Sequence, residues 1–454
     1  MRRIGIFNRR LYEAHALIAG EGIELIDRLV QQLDLREFHD YQERLWTMLA
    51  EVEYRLQQLK DRNGVRARRW RQWRVRSREA AENRAMHVLA IEQQVDLYLE
   101  LRSILRQLGD ALAWAVLRAD PRYVAPLFDG GKTHHLPTGQ GVIGPLSVLR
   151  KAAEGSAFLV IDADLTRCIG IGDLVVVRAN GDWAWPMIFE VKTRKIPGDA
   201  DNVAVWLIRG KALFPRDTEM LEQFASEFGF SFEPEQPLDD RARRQMDEVK
   251  VATKNAAQLV IDSANMLPVP VVRHWDTLLR ITERARANGF AYDIAEPGLV
   301  YAAARNVDGD IGLYERLREQ LAASGLVASE WRETSTMAYQ GIDELSAYGL
   351  PIALWKLPLW QRRDIICANV IIFCFSDPWL WSRSFAKHGI LLEEGSDGAW
   401  ILRRDSKRIQ IDPTEVKRMK VGPAFSAFSP GNFAQRTALV WDTLEMMKEI
   451  EECC

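Results

Sequence analysis

The chain has 454 residues, of which 47% are apolar and 27% are charged. This length predicts two or three domains, and this composition is typical of globular proteins with sizeable cores. The net charge is only -3, which argues against binding of nucleic acid over the whole surface, so any such binding must be local.

The five cysteines form no CxxC pair and no Cys/His zinc spacing, which excludes a disulfide framework. No apolar signal core follows the charged start at Met1. The longest apolar run, residues 365–375, is shorter than the roughly 20 residues that span a bilayer and fits a buried strand better. We therefore expect a cytoplasmic protein without a membrane segment.

Residues 1–120 are predicted to be a long-helical N-terminal region that forms a helical hairpin or a short coiled coil. Apolar residues in two stripes support this prediction. The first stripe recurs at spacings of three and four and comprises Tyr41, Leu45, Leu49, Val52, Leu56 and Leu59, and the second comprises Met86, Leu89, Val95, Leu99, Leu105 and Leu112.

Residues 121–270 begin as a Gly- and Pro-rich loop and then show an α/β pattern. Residues 271–454 are expected to form a separate C-terminal α/β domain for recognition or assembly, with the Pro-Val-Pro stretch at 268–270 as the boundary. The elements predicted for the middle domain are a helix at 146–153, a strand at 157–161, a hairpin at 171–192, a strand at 203–208 and helices at 217–228 and 239–264.

The hairpin at 171–192 places three reactive residues together. Two apolar runs flank the turn signal Asn-Gly-Asp at 180–182, and a turn centred on its last two positions puts Asp173 directly opposite Glu190. Cross-strand partners have Cβ atoms about 4.5–5.5 Å apart, and Lys192 shares a strand face with Glu190 by alternation. Both strand faces are otherwise apolar, as in a buried central strand, where charges are costly unless a metal or partner compensates them.

Two carboxylates and a lysine on one surface suit phosphodiester hydrolysis. A hard cation such as Mg²⁺, held by carboxylates, stabilises the added negative charge of the transition state and can activate water. A lysine beside it can orient the water, help to deprotonate it or stabilise the charge, and these roles stay open. We expect Asp173 and Glu190 to bind Mg²⁺, with Mn²⁺ as the alternative, and Lys192 to serve catalysis.

The Glu-x-Lys triplet is weak evidence by itself. Glu-Val-Lys occurs at 190–192, 248–250 and 415–417. The second copy lies in a polar helical pattern, and the third follows Asp412-Pro413-Thr414, which is typical of a helix start. Only the first copy lies in an apolar strand that follows a Gly-Asp strand.

Asp173 followed by Glu190-x-Lys192 on a hairpin resembles the PD-(D/E)xK superfamily of restriction-endonuclease-like nucleases. More narrowly, Asp164-Leu165-Thr166, Ile171-Gly172-Asp173 and the strand end at 189–193 are similar to uncharacterised bacterial members. The resemblance covers roughly residues 140–265. It implies an α/β fold with a restriction-endonuclease-like mixed-sheet core, in which the matched acids bind the metal and the matched lysine serves catalysis.

The same resemblance implies further site residues. Thr193 and Gln245, the latter within an Arg-Gln pair on a following helix, would be supporting residues. Many members also carry a glutamate on the helix before the first core strand. Glu154 is the nearest match, although it lies at the predicted helix end, and Asp164 is the alternative metal ligand.

A basic segment at 60–78 contains nine basic residues and one acid, Asp61. Arginine binds phosphates and tryptophan stacks on bases, so the segment predicts contact with nucleic acid. A solvated helix surface paired with nearby acids and a subunit interface are the alternatives. The candidate contact residues are Arg62, Arg66, Arg69, Trp70, Trp73, Arg74 and Arg76.

Together these features predict a metal-dependent endonuclease that acts on DNA, with RNA left open as a substrate. A role in bacterial restriction or anti-phage defence follows only by analogy. Cleavage of both strands with one site per chain favours a homo-oligomer, or a subunit of a larger defence complex. The alternative is a non-catalytic nucleic-acid-binding or scaffolding protein on a decayed nuclease core, which would depend on the basic segment and not on the acidic hairpin.

Overall fold

The chain is described from a computed structural model. The described residues are 2–72, 78–117, 124, 127, 136, 143–154, 157–170, 173–178, 187–196, 199–209, 223, 224, 226, 274–306, 313–325, 332–336, 350–377, 379–395, 398–405, 407–411, 416, 434, 435, 437 and 438. Of these, only the backbone is described for 2–12, 63–72, 78–85, 87, 190, 192–196, 199–209, 313–317 and 332–336.

The chain divides into two compact units, residues 1–258 and 259–454. The first unit opens with three long helices, α1 (Arg2–Gln31), α2 (Leu35–Gln72) and α3 (Arg78–Val116). The helical character predicted for this region is confirmed over these three elements.

Only one of the two predicted apolar stripes is buried throughout. All six residues of the first stripe are buried in α2. In the second stripe, by contrast, Met86 is 39% and Leu89 48% exposed. The prediction was wrong for these two because α3 carries apolar residues on several sides. Leu105 and Leu112 of the stripe are buried, and the other buried apolar residues of α3 are Ile91, Leu97, Ile104, Leu108, Ala111, Ala113 and Trp114.

A four-stranded sheet follows α4 (Ile143–Ala153) in the first unit. Its strands are β1 (Phe158–Asp162), β2 (Leu174–Arg178), β3 (Met187–Ile196) and β4 (Asp199–Arg209), in the spatial order β1-β2-β3-β4. The predicted helix at 146–153, the pairing of the two hairpin strands and both flanking strands are confirmed. Of the helix predicted at 217–228 only residues 223, 224 and 226 are described, all three as helix, and the helix predicted at 239–264 lies outside the described residues. Each strand pairs antiparallel with the next, so the mixed sheet that the resemblance implied is not seen in the described residues. Short connections between sequence neighbours allow only antiparallel pairing.

One face of this sheet forms a hydrophobic core with α4. Leu174 and Val176 of β2 lie there with Phe189 and Val191 of β3, as the strand alternation predicts. The α4 residues that cover them are Val148, Leu149 and Ala152, with Phe224 also in the cluster. The central strands β2 and β3 are therefore buried strands, as predicted.

The second unit contains α5 (Trp275–Asn288), α6 (Leu313–Ala323), α7 (Leu359–Ile366) and α8 (Leu380–Ala386). Its strands are β5 (Phe290–Glu296), β6 (Leu299–Arg305), β7 (Arg332–Thr336), β8 (Val370–Ser376), β9 (Leu391–Glu394), β10 (Trp400–Arg404) and β11 (Lys407–Ile411). They form two antiparallel sheets, β5-β6-β8-β7 and β11-β10-β9. The predicted mixture of helices and strands is thus present, with antiparallel sheets in the described part.

The apolar run at 365–375 is a strand only in its second half. Ile365 and Ile366 end α7, and Ala368 takes the left-handed conformation with φ 49° before β8 begins at Val370. An apolar run does not by itself distinguish the end of a buried helix from a buried strand, which explains the difference.

Among the described residues, every helix is too short or too polar to cross a lipid bilayer.

Candidate functional site

The central hairpin pairs β2 with β3 in the predicted register, with Leu174 opposite Phe189. Asp173 stands just before the paired segment and bonds to both neighbours of Glu190. Its backbone N–H donates to the carbonyl of Phe189 at 2.8 Å, and its carboxylate Oδ2 accepts from the N–H of Val191 at 2.6 Å. The predicted placement of Asp173 beside position 190 is therefore confirmed for the backbone. The turn at 180–182 lies outside the described residues.

A second carboxylate, Asp162, ends β1 and is fully buried. Its Oδ1 accepts from the N–H of Asp164 at 2.9 Å, which caps the 3₁₀ turn Ala163–Leu165. Its Oδ2 is buried without a hydrogen-bond partner in the described residues. The N–H of Ala163 donates to the carbonyl of Asp173 at 2.9 Å, so this turn is bonded to the start of β2. Three carboxylates, those of Asp162, Asp164 and Asp173, therefore lie in one region, which we call the acidic cluster.

Burial and neighbouring negative charge raise the pKa of two carboxyl groups of the acidic cluster, those of Asp162 and Asp164. Burial raises the pKa of Asp162 well above its ordinary value, and the charges of Asp164 and Asp173 raise it further. The pKa of Asp164 is raised to about 7 by burial and then by Asp173, while Arg106 lowers it. Each value is raised because a carboxylate that is desolvated and faces like charges favours its neutral form. A bound cation would shift both groups back toward ionisation.

Helix α3 holds the segment that follows β1. Nη1 of the buried Arg106 donates to the carbonyl of Asp164 and, at 3.3 Å, to that of Thr166. One turn later, Oδ1 of Asp110 accepts from the N–H groups of Arg167 at 2.6 Å and Cys168 at 3.0 Å. The other oxygen of Asp110 accepts from Nε of Arg167 at 2.8 Å. These bonds fix the backbone of the turn that carries Asp164.

The approach of α3 to this turn depends on a glycine. A Cβ added at Gly109 would overlap the carbonyl oxygen of Leu165. Glycine within a helix is unfavourable by roughly 1 kcal/mol relative to alanine. Position 109 nevertheless requires glycine, because the two backbones are in close contact there.

Helix α2 covers the outer edge of β1. The side-chain amide of Gln42 donates from Nε2 to the carbonyl of Val160 at 2.7 Å and accepts at Oε1 from the N–H of Asp162 at 3.0 Å. Nε2 of His39 accepts from the N–H of Val160 at 3.0 Å. An edge strand otherwise exposes such groups, and here two side chains of α2 replace a neighbouring strand.

The hydrogen bond to His39 requires a neutral imidazole. Burial lowers the pKa of His39 to about 4, so the ring is uncharged at neutral pH and one nitrogen can accept. The edge of β1 is therefore held by a group that is neutral over the whole physiological range.

The carboxylate oxygens of the acidic cluster are suitable ligands for a hard divalent cation, but the described residues do not form a complete site. Carboxylate oxygens are the ligands that Mg²⁺ prefers, and Oδ2 of the buried Asp162 has no hydrogen-bond partner in the described residues. The raised pKa of Asp164 shows that the described residues do not fully compensate its negative charge when the group is ionised. Within the described residues, however, no group of three or more His, Cys, Asp or Glu side chains is arranged to hold a metal ion. A complete site would therefore need Glu190, whose side chain lies outside the described residues.

The other predicted site residues lie as follows. Lys192 and Thr193 belong to β3, opposite Trp206 and Val205 of β4, and only their backbone is described. Glu154 is exposed just after α4, and no described contact links it to the acidic cluster. Gln245 lies outside the described residues.

The basic segment is helical as far as the structure describes it. Arg62, Arg66, Arg69 and Trp70 lie in the last third of α2, and the side chain of Arg62 is exposed. Trp73, Arg74 and Arg76 lie outside the described residues.

No protein-family model, curated protein or solved structure matches the chain. The resemblance to the PD-(D/E)xK superfamily therefore rests on the sequence motifs alone.

The sequence analysis missed Asp162, Arg106, Asp110 and Gln42. A signal existed for Asp162, since an aspartate that ends an apolar strand two residues before Asp164 is a capping pattern. No local signal marks Arg106 or Gln42, because their partners are 58 and 118 residues away in the chain.

Proposed function

We propose that the chain is a metal-dependent nuclease of the PD-(D/E)xK type that hydrolyses DNA phosphodiester bonds. The observation that carries this proposal is the position of Asp173, which is bonded to residues 189 and 191 and so lies beside Glu190. Strand alternation adds Lys192 to the face of Glu190. The proposal assigns the metal to Asp173 and Glu190, with Asp164 as a further ligand.

Each residue of the proposed site then has a defined role. Asp173 binds the cation through the carboxylate that Val191 orients. Arg106 holds the backbone of Asp164 and so keeps a third carboxylate close to the first two. When bound, Mg²⁺ or Mn²⁺ supplies Lewis acidity toward the phosphate and lowers the pKa of its water. Lys192 orients or deprotonates the attacking water, or stabilises the charge that develops on the phosphate.

The wider role is proposed by analogy with other nucleases of this type. Restriction or anti-phage defence is the proposed setting, with RNA as the alternative substrate. A homo-oligomer or a larger defence complex would bring two such sites to the two strands of a duplex.

The test is degradation of plasmid, linear duplex, single-stranded DNA and RNA by the full-length chain with Mg²⁺, Mn²⁺ or EDTA. We expect cleavage with metal and none with EDTA. Asp173→Asn is the informative variant, because an amide oxygen can still accept from Val191 while the charge that binds the metal is lost. We expect this variant to lose at least 100-fold in rate, a typical loss when a catalytic electrostatic group is removed.

Cleavage that survives both Asp173→Asn and Lys192→Ala would overturn the assignment. No cleavage of any of these substrates with metal present would favour the alternative, a non-catalytic nucleic-acid-binding protein. In that case binding of nucleic acid should be unaffected by Asp173→Asn.

A further inference from the structure

We infer that residues 60–72 of α2, which we call the basic arm, bind the phosphate backbone of duplex DNA at a fixed distance from the acidic cluster. The inference rests on the proposed function for its choice of ligand. The inference extends the proposed function in two ways. It names the substrate as a duplex of a minimum length, and it names the basic arm as the element that requires that length.

In the first two-thirds of α2, the charged side chains are neutralised by ion pairs. Every charged side chain between residues 35 and 59 takes part in an ion pair within 4 Å. The pairs are Arg28–Glu37, Arg36–Asp40, Glu21–Arg44, Glu51–Arg55, Glu53–Arg102 and Glu43–Arg150. This part of the helix therefore has little charge left with which to attract a ligand.

The basic arm differs in its composition. It contains six basic residues and one acid, Asp61, whose Oδ1 accepts from the side-chain amide of Gln57 at 2.9 Å. Including the start of α3, positions 60–84 hold ten basic and three acidic residues, so nearby acids do not balance the charge. A dense positive charge on one end of a helix, in a chain of net charge -3, is complementary to a polyanion.

The structure fixes how the basic arm relates to the acidic cluster. His39 contacts Val160 and Gln42 contacts Asp162, so α2 runs in the direction of β1 and continues beyond its end. From Gln42, Arg62 lies about 30 Å and Gln72 about 45 Å along the helix, at 1.5 Å per residue. At 3.4 Å per base pair these distances correspond to about 9 and 13 base pairs of B-form DNA.

A duplex fits this spacing better than a flexible ligand. A fixed distance of this size can be spanned by a stiff rod, and DNA of this length is far shorter than its persistence length of about 150 base pairs. We assume that the duplex runs from the acidic cluster along α2, and it would then reach the basic arm only if it extends about 9 base pairs or more from the scissile bond.

The test is binding of 8-, 16- and 24-base-pair duplexes by the full-length chain, measured by fluorescence anisotropy with Mg²⁺. All proteins compared carry Lys192→Ala, so that the acidic cluster keeps its cation while cleavage does not interfere. The variant is Arg62→Gln, Arg66→Gln and Arg69→Gln together. The matched control is Arg36→Gln, Arg44→Gln and Arg55→Gln together, the three arginines in the ion-paired part of the same helix. Circular dichroism and thermal melting establish that both variants fold.

We expect the basic-arm variant to bind the 24-base-pair duplex at least tenfold more weakly and the 8-base-pair duplex within twofold of the protein that carries Lys192→Ala alone. Its dependence on salt should fall by about 3 in the slope of log K against log salt, at about 0.9 per lost phosphate contact. The control should stay within twofold throughout, and lysines at the three basic-arm positions should restore binding.

Unchanged binding of the 24-base-pair duplex by the basic-arm variant would overturn the inference, as would an equal loss on all three lengths. Tighter binding of single strands than of duplex would overturn the choice of ligand. These measurements need no catalysis. A chain that cleaves no substrate but binds duplexes in the expected length-dependent way would therefore contradict the proposed nuclease activity and still support DNA binding by the basic arm.

Discussion

The side-chain amide of Gln42 closes the exposed edge of β1 beside Asp162. It donates to the carbonyl of Val160 at 2.7 Å and accepts from the N–H of Asp162 at 3.0 Å. One residue of a helix thus satisfies two buried backbone groups of a strand, at the end where the acidic cluster begins.

Replacing Gln42 with alanine should destabilise the first unit. Both buried backbone groups would lose their partner, and an unsatisfied buried polar group costs about 1–3 kcal/mol, so we expect a loss of about 2–4 kcal/mol in the free energy of unfolding. Chemical denaturation followed by circular dichroism measures it. Gln57→Ala is the control, since Gln57 bonds to Asp61 on the exposed surface, and its loss should stay below about 0.5 kcal/mol. Equal effects of the two variants would contradict the role of Gln42.

Asp110 should tolerate asparagine far better than alanine. Asparagine retains an oxygen for the N–H groups of Arg167 and Cys168, whereas alanine leaves both groups and the side chain of Arg167 without their acceptor. We expect a loss of about 3–5 kcal/mol for Asp110→Ala, and about 1–2 kcal/mol for Asp110→Asn. Denaturant titration of the two variants decides this, and a loss of under 1 kcal/mol for alanine would be inconsistent with a carboxylate that holds this loop.

Asp164 should make the fold less stable as pH rises. In the unfolded chain its carboxyl ionises near the ordinary pKa of about 4, but in the folded chain at about 7. Between these values the unfolded state has released the proton and the folded state retains it, so the free energy of unfolding falls with rising pH and levels off above about pH 7.

The measurement is the unfolding free energy of wild type minus that of Asp164→Asn, from about pH 4 to pH 8 without divalent metal. Asparagine mimics the neutral carboxyl, and the difference removes the contributions of titrating groups that do not interact with Asp164, such as His39. The contribution of Asp162 stays in the difference, because the charge of Asp164 raises the pKa of Asp162. We expect this difference to fall by on the order of 2–4 kcal/mol over that range. A flat or rising difference would contradict the buried, like-charged position of Asp164.

The local parts of the site could be predicted from the sequence, and the parts that depend on distant packing could not. The register of Leu174 against Phe189 follows from the turn signal and from the apolar alternation, both within 20 residues. Gln42 and Arg106 gain their roles only when α2 and α3 pack on the turn after β1. Nothing in their own neighbourhoods distinguishes them from ordinary polar residues of a helix.

In the fold as well, the features that depend on distant packing could not be predicted from the sequence. The stripe of α2 was predicted because its apolar residues repeat on one side of a mostly polar helix. The buried side of α3 was misassigned at Met86 and Leu89, since that helix offers several apolar sides and its neighbours decide among them. Between α7 and β8, Ala368 takes the left-handed conformation, and alanine gives no sign of such a turn.

The three Glu-Val-Lys copies allow the most direct test of the central claim, that the hairpin of β2 and β3 carries the chemistry. The measurement is the rate of plasmid cleavage with Mg²⁺ by Lys192→Ala, Lys250→Ala and Lys417→Ala, which make the same substitution in the same tripeptide. We predict that only Lys192→Ala loses activity, by at least 100-fold, a typical contribution of a general base or charge stabiliser. Equal activity of all three variants, or a selective loss at Lys250 or Lys417, would contradict the assignment of the site to this hairpin.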